Sequence, residues 1–196
     1  GPATFPHSHP DDQAMSANEK AALRARMRAA RLGFAGPPLR LPSALQARLE
    51  RPGIVASYLP MAGEIDPAPV TDAALALGWR LALPRVTRRD PPMRFLAWVP
   101  GEPLIDGPFG LRQPADDASE VVPDLILTPL VAFDAERNRL GQGAGYYDRA
   151  FAALPGALRI GIAWDAQQVP KVPVDAWDVP LHAVLTEQRW IGPDVL

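Results

Sequence analysis

The sequence predicts an α/β protein, a sandwich of helices around a mostly parallel sheet. Short apolar runs alternate along the whole chain with helical stretches, as in strand–helix–strand units. One of these runs, Leu125 to Phe133, reads as a buried strand bounded by Pro123 and Asp134. At 196 residues, with 47% hydrophobic and 21% charged residues, the chain fits one globular domain that can bury a core without staples.

Taken in order, residues 1–15 carry Pro2, Pro6, Pro10 and the isolated pair His7 and His9 without periodicity. They read as a disordered N-terminal extension, ahead of a single domain over 16–196. Ser16 and Glu19 have capping-box spacing and predict a helix over 17–32, stopped by Gly33. Lys20 and Arg24 are four residues apart and share a face, which Arg28 and Arg31 continue. The ordinary fate of such a stripe is solvation. A second helix is expected over 42–50, then a strand over 54–58 that opens into a loop holding Leu59, Glu64 and Asp66. Loops after strand C-termini are where open α/β sheets bind ligands. On residue type alone, Glu64 reads as a partner for the dipole of the helix expected over 67–77. Strands follow over 80–84 and 93–98, with Arg85, Arg88, Arg89 and Asp90 as a solvated loop between them. Met93, Phe95 and Trp98 are core or the wall of an apolar pocket. After the 125–133 strand and a glycine-rich turn come a helix over 146–154, a strand over 158–164, an irregular segment over 170–180 and a last strand over 183–185.

The glycine-rich turn, Arg139 to Arg149, is the most informative stretch. Gly141, Gly143 and Gly145 alternate with Gln142 and Ala144 just before a helix start, where unpaired N–H groups and the helix dipole favour an anion. A phosphate is the natural occupant. The dinucleotide pattern fails, because its third glycine would fall at Tyr146, and the Walker pattern fails as well. Arg139 before the turn and Tyr146, Tyr147, Asp148 and Arg149 after it mark it as more than a connection.

The net charge of −2 gives no footprint for nucleic acid. With no cysteine, thiolate catalysis, disulfides and zinc–thiolate sites are excluded. No apolar run reaches membrane-spanning length, and the first fourteen residues lack a signal peptide's core, so a cytoplasmic protein is expected. There is no nucleophile elbow and no zincin pattern, and His182 is the one histidine outside the first fifteen residues. What remains is positioning chemistry, with a phosphate cradle, basic side chains and carboxylates, which are the parts phosphoryl transfer uses.

The stretch FDAERNRLGQGAGYYDR resembles the signature of the 5-formyltetrahydrofolate cyclo-ligase (methenyltetrahydrofolate synthetase) family. Lys20-x-x-x-Arg24, Tyr58-Leu-Pro-Met-x-x-Glu64-Ile, Asp178 and Leu185-Thr-Glu187 resemble further family blocks, so the likeness runs from about residue 16 to about 190. It implies a Rossmann-like three-layer sandwich related to sugar-phosphate isomerases and CoA transferases. It also implies ATP-dependent cyclisation of 5-formyltetrahydrofolate to 5,10-methenyltetrahydrofolate, with release of ADP and phosphate. In that scheme the formyl oxygen attacks the γ-phosphate, the neighbouring folate nitrogen closes the ring, and phosphate leaves.

Carried onto this chain, the resemblance assigns ATP binding to Lys20, Arg24 and the run Arg139, Leu140, Gly141, Gln142, Gly143, Ala144, Gly145, Tyr146, Tyr147. Folate binding falls to Leu59, Glu64, Gln142, Gly143, Ala144, Gly145 and Tyr146, and catalysis to Arg139 and Tyr146. Asp148 and Asp178 would hold Mg²⁺. The partners are then two small molecules acting on a monomer, with neither nucleic acid nor membrane. Gln113, Gln142, Trp177 and His182 depart from residues common in bacterial members, which keeps open a divergent folate- or nucleotide-binding paralog. A sugar-phosphate isomerase of similar fold is the third reading.

Overall fold

The structure is a computed structural model that describes residues 10–87 and 92–196. Seven strands form one sheet: β1 (Ile54–Ala56), β2 (Arg80–Arg85), β3 (Arg94–Ala97), β6 (Leu125–Thr128), β9 (Leu158–Ala163), β10 (Ala183–Thr186) and β11 (Trp190–Ile191). Two further pairs stand apart: β4 (Ile105–Asp106) with β5 (Arg112–Gln113), and β7 (Ala132–Phe133) with β8 (Arg139–Leu140). The helices are α1 (Pro10–Arg31), α2 (Ser43–Leu49), α3 (Ala68–Ala76) and α4 (Tyr146–Ala153).

The sheet runs β11-β10-β9-β6-β1-β2-β3. The five inner strands are parallel, and only β3 and β11 run against their neighbours. From β1 the chain winds outward to β2 and β3, then returns to the other side of β1 and winds outward again through β6, β9 and β10. The switch point therefore lies between β1 and β6, and the connections leaving their C-terminal ends diverge there. That crevice is where such sheets bind ligands.

Side-chain alternation builds two cores, one on each face. Val55, Leu81, Leu125, Leu127, Ile160, Ile162 and Leu185 point to the face covered by α2 and α3. Ala56, Ala82, Ile126, Ala163 and Val184 point to the face covered by α4. Burying each large aliphatic side chain of this kind stabilises the fold by about 1.5–3 kcal/mol. Three layers result, as expected. Met93 and Phe95 belong to the α4-side core and Trp98 packs on the other, so these residues are core and not a pocket wall.

Four expectations need correction. First, α1 begins at Pro10 and not at Ala17, because no Gly or Pro interrupts residues 11–31 and proline is tolerated in a first helical turn. Ser16 thus lies inside the helix and is no N-cap, and the expected disordered extension can apply only to residues 1–9, which lie outside the described residues. Second, the apolar run 125–133 is two strands. Pro129 has no N–H to continue a ladder, so β6 stops at Thr128 and β7 turns away to pair with β8. Third, Arg85 is not solvated; its Nη1 donates to the Pro114 carbonyl at 2.8 Å. Arg88, Arg89 and Asp90 lie outside the described residues. Fourth, β11 follows the strand expected to be last.

A third, smaller core sets α1 in place. Leu23 and Met27 pack on Val131, Ala132, Leu140, Val169 and Val172, which lie on the connections leaving β6 and β9. The polar stripe of α1 is thereby laid along the switch point.

Candidate active site

The β7–β8 hairpin presents the glycine loop, and a buried aspartate shapes its turn. Asp134 accepts hydrogen bonds from the backbone N–H groups of Glu136, Asn138 and Val172, and from the Asn138 side chain, at 3.0–3.1 Å. The Phe-Asp pair of the sequence signature is thus an architectural element that ties the hairpin to the 170–180 segment.

From Leu140 the chain enters the loop. A Cβ at Gly141 would lie 2.7 Å from Nη2 of Arg139, so glycine lets that guanidinium fold back beneath the loop without shifting. Gly143 and Gly145 adopt φ of 114° and 73°, which side-chain-bearing residues rarely take. Gly145 is the N-cap of α4, without a side-chain cap.

Three arginines hold the loop by its carbonyl oxygens. Arg24 Nε donates to Gly141 O at 2.8 Å, Arg28 Nη2 to Gln142 O at 3.0 Å and to Gln142 Oε1 at 2.7 Å, and Arg149 Nη1 to Ala144 O at 3.0 Å. In a trans peptide the N–H points opposite to the preceding carbonyl. Fixing those carbonyls therefore turns the N–H groups of Gln142, Gly143 and Gly145 the other way, and among the described residues no backbone carbonyl accepts from them.

The expected residues converge here, in specific pairings. Arg139 has a buried side chain; its Nε donates to Pro129 O at 3.1 Å, its Nη1 lies 3.9 Å from Asp148 Oδ2, and it stacks 5.0 Å from the Tyr147 ring centre. Burial pushes the Arg139 pKa down and the Tyr147 hydroxyl well up. Tyr146 lies under Arg149, 5.3 Å from its Cζ, with its hydroxyl directed at Thr87 O. Lys20 meets Asp175 at 2.6 Å and Asp178 at 2.5 Å. Burial opposes its charge, but the hydrogen bonds to those two carboxylates override that and raise its pKa. Asp148 Oδ1 accepts the Val179 N–H at 3.1 Å, which ties it to the residue after Asp178 in the chain.

On the other side of the crevice, Glu64 and the half-exposed Leu59 stand on the β1–α3 connection. Glu64 Oε1 accepts the Met61 N–H at 2.9 Å and lies 3.9 Å from Arg31. It is not the partner of the next helix; Asp66 is, accepting the Ala68 N–H at 2.9 Å. Burial raises the Glu64 pKa, while the Met61 hydrogen bond and the charges of Arg31 and Arg139 oppose it. Lys20, Arg24, Arg28 and Arg31 thus face the site in succession over about 16 Å of helix. Half of that stripe read as solvated surface in the sequence.

Two departures prove structural. Gln113 is buried, accepting from Val86 N at 3.0 Å and donating to Val86 O at 3.1 Å, a pairing that a carboxylate cannot complete. His182 Nδ1 accepts the Arg159 N–H at 2.9 Å. Gln142 serves as a partner of Arg28, and Trp177 is largely exposed.

As to metal, no group of three or more potential ligands occurs among the described residues. Mg²⁺ needs only one or two carboxylates when phosphate oxygens complete its shell, so Asp148, tied to the Val179 N–H, and Asp178 suit a phosphate-borne ion and not a protein-only cage.

The fold and the site define an α/β protein whose glycine-rich loop and basic helix face meet at the switch point of a parallel sheet. A family model described as the 5-formyltetrahydrofolate cyclo-ligase family matches residues 16–187, and the chain belongs to that family. It is 35% identical over 142 residues to the 5-formyltetrahydrofolate cyclo-ligase of Escherichia coli K12, covering 69% of this chain and 78% of that one. It is 35% identical over 149 residues to the Mycolicibacterium smegmatis enzyme of the same name, covering 70% and 75%. The solved structure of Aquifex aeolicus 5,10-methenyltetrahydrofolate synthetase superposes with a TM-score of 0.68 at 31% identity, over 87% of this chain and 91% of that one. Among the described residues no helix is long and apolar enough to cross a membrane.

Proposed function

We propose that the protein catalyses the ATP-dependent closure of 5-formyltetrahydrofolate to 5,10-methenyltetrahydrofolate, releasing ADP and phosphate. The observation that carries this reading is the glycine loop, whose carbonyls are held by three arginines while its N–H groups turn the other way, between Lys20 at one end of the α1 stripe and Glu64 at the other.

The N–H groups of Gln142, Gly143 and Gly145 would bind phosphate oxygens, with the α4 N-terminus adding its dipole. Arg24 uses Nε to fix the loop, which leaves its terminal nitrogens, beside Gly143, for a phosphate. Arg139, braced by Pro129 O and Asp148, would stabilise charge on the transferred phosphoryl group. Lys20 completes the cationic wall once phosphate competes with Asp175 and Asp178 for its ammonium. Mg²⁺ held by Asp148 and Asp178 would supply further neutralisation of phosphate charge. At the far end Glu64 would accept the paired N–H donors of the pterin ring, with Leu59 and Tyr146 beside it. These placements set the formyl oxygen against the terminal phosphate, and the same enclosure favours ring closure by the adjacent nitrogen. The reading includes a monomer working in the cytoplasm on two small molecules.

The test is turnover. Purified protein with 5-formyltetrahydrofolate and MgATP should develop the absorbance of the methenyl product, and omitting ATP should abolish it. Ligand-induced thermal stabilisation without turnover would instead identify a binding paralog.

A further inference from the structure

The basic stripe of α1 is longer than the phosphate side of the site requires. Lys20, Arg24 and Arg28 engage the 175–178 segment and the glycine loop. Arg31, in the last turn, leaves that loop and meets Glu64 instead. Its Nη2 lies 3.9 Å from Glu64 Oε1, with both side chains largely buried. The adjacent backbone is fitted to the arginine stem: Gly63 takes φ of 83°, and a Cβ there would collide with Cγ of Arg31. Trp164 Nε1 pins the same peptide by donating to Gly63 O at 3.0 Å. Arg31 Nε is buried and makes no hydrogen bond among the described residues, so the guanidinium is not committed elsewhere through that nitrogen. Arg31 and Arg28 also line a small cavity with Met27, Phe34, Leu130 and Gln142, which runs beside the glycine loop.

Glu64 needs such a partner. It is largely buried, with Tyr58 just past β1 and Tyr147 from α4 near it, and burial opposes its charge; the hydrogen bond from the Met61 N–H is the first group to offset that. The cations acting on it are Arg31 from α1 and Arg139 from β8. Arg139 is already engaged with Asp148 and Pro129.

We propose that Arg31 is a positioning residue for substrate recognition, which keeps Glu64 a carboxylate and aims it into the crevice, so that it can accept the N–H edge of the pterin ring. The pterin part rests on the cyclo-ligase reading; the dependence of Glu64 ionisation on Arg31 does not. It follows that α1 touches both halves of the site, with phosphate-side cations at one end and the carboxylate's counter-charge at the other.

The experiment compares Arg31→Gln, which keeps the stem that packs on Gly63, with Arg31→Lys, which keeps the charge. In the ligand-free full chain carrying ¹³C-labelled glutamate, with the Glu64 resonance assigned by Glu64→Gln, the Glu64 titration midpoint should rise by about one pH unit in Arg31→Gln and return most of the way in Arg31→Lys. In turnover, Arg31→Gln should raise the KM for 5-formyltetrahydrofolate about tenfold below the measured Glu64 midpoints and less than about twofold well above them, with the KM for ATP changed less than about twofold. An unchanged Glu64 midpoint in Arg31→Gln overturns the proposal, and so does a parallel rise of both KM values at every pH. If the wild-type protein turns over no folate, the catalytic reading fails, and the titration alone decides the role of Arg31.

Discussion

Arg24 Nε donates to the carbonyl oxygen of Gly141 over 2.8 Å, joining the first helix to a loop 117 residues later in the chain. The bond is charge-assisted and comes from the inner nitrogen of the guanidinium, which leaves the two terminal nitrogens available; lysine has a single ammonium nitrogen. Arg24→Ala is therefore expected to raise the KM for ATP by roughly tenfold to a hundredfold, and Arg24→Lys to recover little of it, because the ammonium cannot reproduce the fork. Steady-state kinetics on the three proteins check this.

Opposite ends of the stripe should separate by substrate. Glu64→Gln is expected to weaken folate binding by about tenfold or more and ATP binding little, since an amide offers one acceptor where the pterin edge needs two. Lys20→Ala should do the reverse, and it also leaves Asp175 and Asp178 facing each other without their cation. Calorimetric titration with each ligand alone gives the ranking, and the opposite order would refute the assignment.

Gly141→Ala tests the fold-back of Arg139. The added methyl would sit 2.7 Å from Nη2 and displace the guanidinium from beneath the loop. The variant is expected to lose kcat by at least about tenfold, since the displaced charge acts on the transferring group. A variant with wild-type kcat would show that the step does not depend on this fold-back geometry.

Asp134→Ala tests the hairpin. Four donors lose their acceptor at a buried site, so the variant is expected to be less stable by about 2–4 kcal/mol, with Asp134→Asn intermediate. Urea unfolding measures this. A loss under about 1 kcal/mol would mean that water replaces the carboxylate.

His182 sets a pH dependence. Burial, followed by the charges of Arg159 and Arg137, pushes its pKa below 6.5, and the ring nitrogen must stay unprotonated to accept the Arg159 N–H. The unfolded chain therefore binds more protons in the window just below pH 6.5. This contribution is complete above that value and is lost as the pH falls through the folded-state pKa. The Oδ1 of His182→Asn can accept the same bond without titrating. Between pH 7.5 and 5.5 the wild type should lose more stability than this variant, and parallel losses would remove His182 as the cause.

Most of the sheet was legible in the sequence because buried strands and their Gly and Pro punctuation are local signals. The glycine loop was legible for the same reason, since positive φ and close approach restrict residue type at single positions. The hairpin insertion was partly legible: Pro129 lies inside the apolar run, but nothing local shows that the chain beyond it leaves the sheet. The partners of the α1 cations were not legible. Lys20 with Asp175 and Arg28 with Gln142 are separated by 155 and 114 residues, and only the topology decides them. Arg28 and Arg31 read as solvated surface because a basic stripe looks the same whether it faces water or a crevice.

The outermost strands have a consequence for behaviour at high concentration. The outer side of β3 is already covered by the neighbouring backbone, with Ala97 N bonded to Ser119 O and Val121 N to Phe95 O. At the opposite margin, β11 offers only two residues to an incoming chain. Neither margin presents a long unpaired ladder on which another copy could continue the sheet, so this architecture resists edge-to-edge polymerisation.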